Sequence, residues 1–205
     1  MASLLETRKK IKSIKQTRKI TKAMQLVSAS KMKVFQKKAV AARQYAWDLL
    51  EILKHYLDQE SPSSFMERRK GGKTLFVLYS SDKGLCGPLN SKLTKALFGS
   101  EASTKTPSEQ RLLVTIGKKA SDFAHYNEIP VHRSFKGLKE QLTILDALEF
   151  IDPILELWTK GIVRKISLVA PHYKSTLVFY PIVKTFLPFS FEMIQEHLNV
   201  EGESK

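Results

Sequence analysis

Residues 3–59 read SLLETRKKIKSIKQTRKITKAMQLVSASKMKVFQKKAVAARQYAWDLLEILKHYLDQ, a stretch with neither glycine nor proline. Ala, Leu, Lys, Gln and Met dominate it, and these side chains lose little freedom in a helix. Ser3 followed three residues later by Glu6 is a capping-box pattern for the start, and Ser61-Pro62-Ser63-Ser64 is a stop signal. A helix over this range extends about 80 Å, far beyond the diameter of a small domain, so the sequence predicts a helix that projects. Phe35, Ala39, Ala42, Ala46, Leu49, Leu53 and Tyr56 follow a 4-3-4-3-4-3 rhythm, the seam of a coiled coil. Upstream the stripe thins to Ile11, Ile14, Ile20, Met24 and Val27, with Ser28 and Ala29 small enough for close approach of a second helix. Residues 45–57 could instead lie on the chain's own globular part. The first forty residues are too long to be covered that way, and no later segment has the length to pair with them.

Beyond residue 60 the pattern changes to alternating strand and helix. TLFVLYS at 74–80 and RLLVTI at 111–116 are β-branched, apolar runs. Helices are expected at 88–98, 118–126 and 139–160, the last kinked or split at Asp152-Pro153. A short strand is expected at 130–135, a polar connection at 99–109, and a strand pair at 165–170 and 176–184 joined as a hairpin. A short helix is expected at 191–198 before a polar end. The fold class that results is α/β: a long N-terminal coiled-coil helix (1–60), a linker (61–72) and a Rossmann-like α/β domain with a mostly parallel sheet (73–205).

The formal charge is +14, and nearly all of it is in one place. Residues 1–43 hold thirteen Lys or Arg against one acid, Glu6, whereas the remainder has 21 basic and 19 acidic residues. A basic arm on a near-neutral domain calls for an acidic partner of the arm alone: nucleic acid, an anionic membrane, or acidic protein loops. Composition is that of a folded chain, with 42% hydrophobic residues and 9 Gly and 8 Pro. No apolar run approaches the ~20 residues that span a bilayer. The N-terminus has neither the apolar core nor the cleavage site of a signal peptide, so a cytosol-facing chain without a targeting segment is expected. Cys86 is the single cysteine, and the five histidines (55, 125, 132, 172, 197) are scattered, which gives no disulfide and no metal-ligand spacing.

The loop SDKGLCGPLN at 81–90 lies between an expected strand and an expected helix. A helix N-terminus there would attract an anion, but the loop has neither the Gly-Lys-Ser/Thr ending of a Walker loop nor a GxGxxG spacing, and a tight turn is favoured. Cys86 beside Lys83 has the setting of an activated thiol, yet no histidine is tied to it by spacing. Asp82, opening the turn, is explained by hydrogen bonding of its side chain to backbone.

Two of these stretches also carry a family resemblance. TRKITKAMQLVSASKM at 17–32 resembles, nearly residue for residue, the N-terminal helix of the ATP synthase gamma subunits, and residues 81–90 are similar to that family's SD(R/K)GLCGxxN loop. Fainter similarity continues at 116–119 and from Lys174-Ser175 to Pro188. The resemblance implies a non-catalytic central-stalk rotor that couples proton translocation to ATP synthesis or hydrolysis in a ring of alpha and beta subunits. It implies a basic helix whose Lys19, Lys22, Met24 and Lys31, with Lys83 and Cys86 of the loop, meet acidic lever loops of the beta subunits. It further implies an epsilon subunit and a membrane ring of c subunits as partners, with no nucleic acid, no cofactor and no metal. The location implied is the periphery of a membrane: the cytoplasmic face of a bacterial inner membrane, an organellar inner membrane or a thylakoid. Pro88 departs from the small residue usual in the loop, and His172-Tyr173 departs from the family's usual pair. The family continues into a long C-terminal helix, so an incomplete form, lacking the second strand of the shaft, is expected of a sequence ending at Lys205. Two other readings remain from the residues themselves: a nucleic-acid-binding protein using the basic helix, though few aromatics interleave its lysines, and a Rossmann-type nucleotide-binding enzyme.

Overall fold

The computed structural model describes residues 3–57, 63–139, 142–175, 178–190 and 192–193; side chains are described over these ranges except at 54–57. The chain divides into two compact units, one holding the N-terminal helix and the other spanning Ser61–Met193.

The first unit is a single helix, α1 (Leu4–Leu57), 54 residues long. Its start is the expected reciprocal cap: the Ser3 amide donates to Glu6 Oε2 at 3.1 Å, and Ser3 Oγ accepts from the Leu5 amide at 3.3 Å. The expected stop at Ser61-Pro62 lies outside the described residues, as does the Tyr56 side chain of the seam.

In the second unit the elements run β1 (Lys73–Tyr79), α2 (Leu89–Gly99), α3 (Glu101–Thr104), a 3-10 turn (Ser108–Gln110), β2 (Arg111–Ile116), α4 (Lys118–Tyr126), β3 (Arg133–Phe135), α5 (Ile144–Thr159), β4 (Val163–Tyr173) and β5 (Phe179–Leu187). They form one five-stranded sheet in the order β3-β2-β1-β4-β5. β1 pairs in parallel with β2 and β4, β2 with β3, and only β5 is antiparallel. The Rossmann-like, mostly parallel sheet is therefore present, with the expected β4–β5 hairpin at one edge.

Residues 74–78 of β1 are buried without alternation, as a central strand covered on both faces requires. Leu75 and Val77 join Trp158, Leu157, Ile154, Val163 and Ile166 on the α5 side. Phe76 and Leu78 join Leu93, Leu97, Ala120 and Ala124 on the side of α2 and α4. Trp158 is wholly buried; its Nε1 donates to the Ser64 carbonyl at 3.2 Å, and the Arg69 guanidinium lies 4.2 Å over its ring while donating to its carbonyl. These bonds and the half-buried Phe65 fasten the stretch ahead of β1 to the sheet.

Four expectations need correction. The connection 99–109 is not simply polar coil, because Ser100 Oγ accepts from the Ser103 amide at 3.1 Å and caps the short α3. The helix expected at 139–160 starts later, at Ile144, where Thr143 and Asp146 close a capping box: Thr143 Oγ1 accepts from the Asp146 amide (3.2 Å), and Asp146 Oδ2 accepts from the Thr143 amide (2.8 Å). Lys139 lies outside the helix and donates to Asp146 Oδ1 at 2.6 Å. Pro153 does not split α5; the carbonyl it leaves without a donor belongs to Glu149, an exposed residue. β3 begins at Arg133 and not at residue 130, β4 reaches Tyr173, and β5 ends at Leu187, past the expected limits. Residues 176–177 and most of the helix expected at 191–198 lie outside the described residues.

The C-terminal ends of β1, β2 and β3 are stitched together at Gly117. The Ser80 amide donates to the Ile116 carbonyl at 2.7 Å, and the Gly117 amide to the Phe135 carbonyl at 2.8 Å. Gly117 has φ 98 and ψ 148, a region that only glycine occupies readily, and a Cβ there would stand 2.2 Å from the Ser80 carbonyl oxygen.

Gly117→Ala therefore destabilises the fold by about 3 kcal/mol or more, measured as a fall in the urea midpoint at unchanged slope; an unchanged midpoint contradicts the close approach. Thr143→Ala costs about 1 kcal/mol through the lost cap. The Lys139 ammonium, then the Thr143 donors, hold the Asp146 carboxyl down to about 2. Its contribution to stability is complete above the ordinary aspartate value and disappears as the pH falls toward 2. An acid titration of the melting temperature should accordingly lose this component in wild type and show none of it in Asp146→Asn.

Candidate functional site

Two places carry the residues singled out in the sequence: the surface of α1 and the loop 81–87 at the end of β1.

On α1 the helical period sorts the candidates into two groups. Lys19 and Lys22, three apart, share one face. Met24 and Lys31, seven apart, share another, roughly 140° around from Lys19 to Met24 at 3.6 residues per turn. The second face is the seam, since Phe35, Ala39, Ala42, Ala46, Leu49 and Leu53 fall on its continuation. Phe35, Leu49 and Leu53 are exposed, as are Ile11, Ile14, Ile20, Met24 and Val27 upstream. From Ile20 to Leu53 the helix thus has an apolar stripe open to water on one side and Lys19 and Lys22 on the other, whereas Ile11 falls on the face of Lys22. Between residues 4 and 34 it has no Phe, Tyr or Trp, and so no platform on which a base would stack. Among the described residues, the next longest helix is α5, with 16 residues.

The loop 81–87 is closed from inside. Ser81 Oγ donates to the Lys83 carbonyl at 2.6 Å and accepts from Asn90 Nδ2 at 2.9 Å, and Asn90 Oδ1 accepts from the Ser81 amide at 3.1 Å. Asn90 Nδ2 also reaches Cys86 Sγ at 3.2 Å, so the half-buried thiol is held within the loop. Lys83 contributes its carbonyl to this network and leaves its side chain exposed. Leu85 and Gly87 have φ of 61 and 57. Pro88 precedes α2, which has no side-chain cap.

Asp82 hydrogen-bonds to backbone, as expected, but over a distance and not within its own turn. Its Oδ1 accepts from the amides of Lys118 (2.8 Å) and Gly137 (3.3 Å), and its Oδ2 from that of Leu138 (3.0 Å). Burial alone would raise this carboxyl; the three amides, aided by the Lys118 charge, outweigh it and hold it below the usual range. The loops after β1, β2 and β3 are therefore joined through one ionised side chain, a tie present above the ordinary aspartate range and lost as the pH falls through the depressed value.

The same geometry uses up the anion-attracting end of α4. Its first three amides go to protein acceptors: Lys118 to Asp82 Oδ1, Lys119 to the Ser81 carbonyl at 3.0 Å, and Ala120 to Ser80 Oγ at 2.7 Å. In a doubly wound sheet a nucleotide phosphate uses such amides at the carboxyl ends of the strands. Here that end carries a carboxylate in their place. Among the described residues no group of three His, Cys, Asp or Glu is placed to hold a metal ion, and no helix is long and apolar enough to cross a membrane.

The sequence reading missed Leu85, whose side chain is 88% exposed at the crest of the loop. An apolar residue between Gly84 and Gly87 was the available signal.

A family model described as ATP synthase matches residues 3–205. The ATP synthase gamma chain of Opitutus terrae is 34% identical over 196 residues, covering 92% of this chain and 62% of its own length. That of Geotalea uraniireducens is 38% identical over 161 residues, covering 76% of this chain and 56% of its own. The chain thus spans about three fifths of the length of the curated relatives it matches. Among solved structures, the central stalk and c-ring of the Tetrahymena thermophila mitochondrial ATP synthase has a similar chain with a TM-score of 0.61 at 23% identity, covering 82% of this chain and 72% of that one. The rotor of the Euglena gracilis mitochondrial ATP synthase gives 0.53 at 17% identity, covering 95% and 65%. At these identities the structural likeness is one of fold, while the family match extends over all but two residues of the sequence. This chain belongs to the ATP synthase family, among its gamma chains.

Proposed function

We propose that the chain acts as a gamma subunit of the central stalk, a rotor without an active site of its own that couples proton translocation to ATP synthesis or hydrolysis in an alpha/beta ring. The observation that carries this reading is α1: one 54-residue helix with an apolar stripe in water and a large surplus of lysines, Lys19 and Lys22 among them on the opposite face. A helix of this form is completed by a second long helix along Phe35, Ala39, Ala42, Ala46, Leu49, Leu53 and Tyr56, and by acidic groups along the rest. Residues 1–60 are the shaft strand, 61–72 the linker and 73–205 the foot, which engages an epsilon subunit and the ring of c subunits at the membrane periphery.

The beta-subunit lever loops are the acidic partners. Lys19 and Lys22 meet them from the face opposite the seam. Met24 and Lys31 lie on the seam side, where contact with a lever and with the second helix compete. Lys83 reaches a lever with its side chain, whereas Cys86 acts through the shape of the loop. Nucleic acid is the weaker partner for the same charge, given the absence of aromatics through residue 34. The Rossmann-enzyme reading is disfavoured by the β1–α2 loop 81–90, which has no phosphate-binding glycine spacing, and at α4 by amides already bonded within the protein.

Co-expression with the alpha and beta subunits of an ATP synthase, with the long C-terminal helix of a relative supplied in trans, tests the proposal. A complex that co-purifies is expected, and Lys19→Gln with Lys22→Gln should reduce its retention severalfold at physiological salt. Phe35→Asp should abolish recruitment of the supplied helix. Failure of the wild-type chain to enter any such complex, together with steeply salt-dependent DNA binding, would overturn the stalk in favour of the nucleic-acid reading.

A further inference from the structure

At the end of the sheet opposite the loop 81–87, the β1, β4 and β5 strands floor an open recess of about 1000 Å³. Its lining holds six cationic side chains and a single carboxylate, Glu101. Some of that charge is already engaged. Lys105 pairs with Glu101, and Arg69 lies over Trp158 with Glu67 4.0 Å from its Nε. Arg164 Nη2 donates to Gln110 Oε1 at 3.3 Å, and Glu192 feels the charge of Arg68. Even so, Lys70 and Lys165 add two further cations to one concavity.

The floor supplies an independent observation. Ser167 lies in β4 at 1% exposure and lines the recess, and its hydroxyl is the one buried side-chain polar atom among the described residues with no hydrogen-bond partner. It is flanked across the sheet by Thr185, which also lines the recess. A buried hydroxyl without a partner costs free energy, and native proteins keep few of them. Hydroxyls beneath a cationic rim are the donor set that a tetrahedral oxyanion uses: guanidinium and ammonium groups on its outer oxygens and O–H donors on its inner ones. The lining contains no Phe, Tyr, Trp or His, so no base or sugar ring has a surface to stack on.

We propose that this recess is a binding site for a phosphate-class anion carrying two or more charges, such as a free diphosphate or the phosphate of a lipid headgroup. The site is distinct from the α4 N-terminus and goes beyond the stalk role, since nothing in that role requires a small ligand here.

Calorimetric titration of the full chain with inorganic pyrophosphate at physiological salt tests it, with the basic α1 as internal control. One-site binding is expected, weakened at least about tenfold by Arg68→Gln with Lys165→Gln and unchanged by Lys19→Gln with Lys22→Gln. Ser167→Ala should also weaken binding severalfold while leaving the melting temperature equal or higher. A merely structural Ser167 would leave binding unmoved. The source is distinguished with phosphatidylcholine vesicles containing phosphatidic acid. Recruitment that pyrophosphate competes away and Arg68→Gln/Lys165→Gln abolishes assigns a headgroup; pyrophosphate binding without such recruitment assigns a free phosphate compound. Absence of pyrophosphate binding, or loss confined to the Lys19/Lys22 variant, overturns the site.

Discussion

At the carboxyl end of the sheet, the carbonyl oxygen of Ser80 occupies the space that a side chain on residue 117 would need. Because Gly117 has none, β1 and β2 end flush, and the Ser80 hydroxyl, the Ser81 carbonyl and the Asp82 carboxylate fall in sequence onto the first three amides of α4. Asp82 is then close enough to the turn after β3 to accept two more amides. One steric allowance thereby fixes the relation of three loops. It also commits the first three amides of α4 within the chain, so that helix end has no free donors for an anion.

α1 poses the opposite situation, an element whose interactions are not completed locally. Arg8 and Lys12, Lys15 and Lys19, Arg18 and Lys22, and Lys33 and Lys37 are like-charged pairs one turn apart, each costing a few tenths of a kcal/mol. The apolar stripe adds a hydration cost on another face. Helix propensity and the Ser3–Glu6 cap oppose these terms but bury nothing. The sheet unit is self-sufficient by comparison, with β1 covered on both faces and Trp158 closing one layer.

Much of this was legible in the sequence, for physical reasons that differ by element. The absence of Gly and Pro over 3–59 gave α1, because backbone propensity accumulates over so long a run. Arg111–Ile116 and Lys118–Tyr126 were readable because a β-branched run, a glycine and a helical run follow one another at a junction that only glycine satisfies. The start of α5 was misplaced because residues 139–143 have adequate helix propensity, although Thr143 with Asp146 three residues on carries the same local capping pattern as Ser3–Glu6. Of the kink or split expected at Asp152-Pro153, the split does not occur, since Pro153 lies inside a continuous α5. In the loop, Asp82 was legible as a hydrogen-bonding residue, but its partners lie 36 to 56 residues away, beyond the reach of any local pattern. Ser167 left no trace at all in the sequence: a serine within a strand does not announce which face it occupies or whether its hydroxyl finds a partner.

Leu85 shows how the loop's internal bonding extends outward. Its backbone is in the left-handed region at φ 61, and its side chain is 88% exposed, so folding holds a strained residue with its apolar group in water. The Ser81–Asn90–Cys86 network keeps it there by fixing both ends of the turn. Any surface that covers Leu85 meets a side chain whose backbone is already ordered, and the entropy of arranging that backbone is not charged again at contact. The crest of the loop is thus a small apolar protrusion on an already ordered backbone, shaped before any surface covers it.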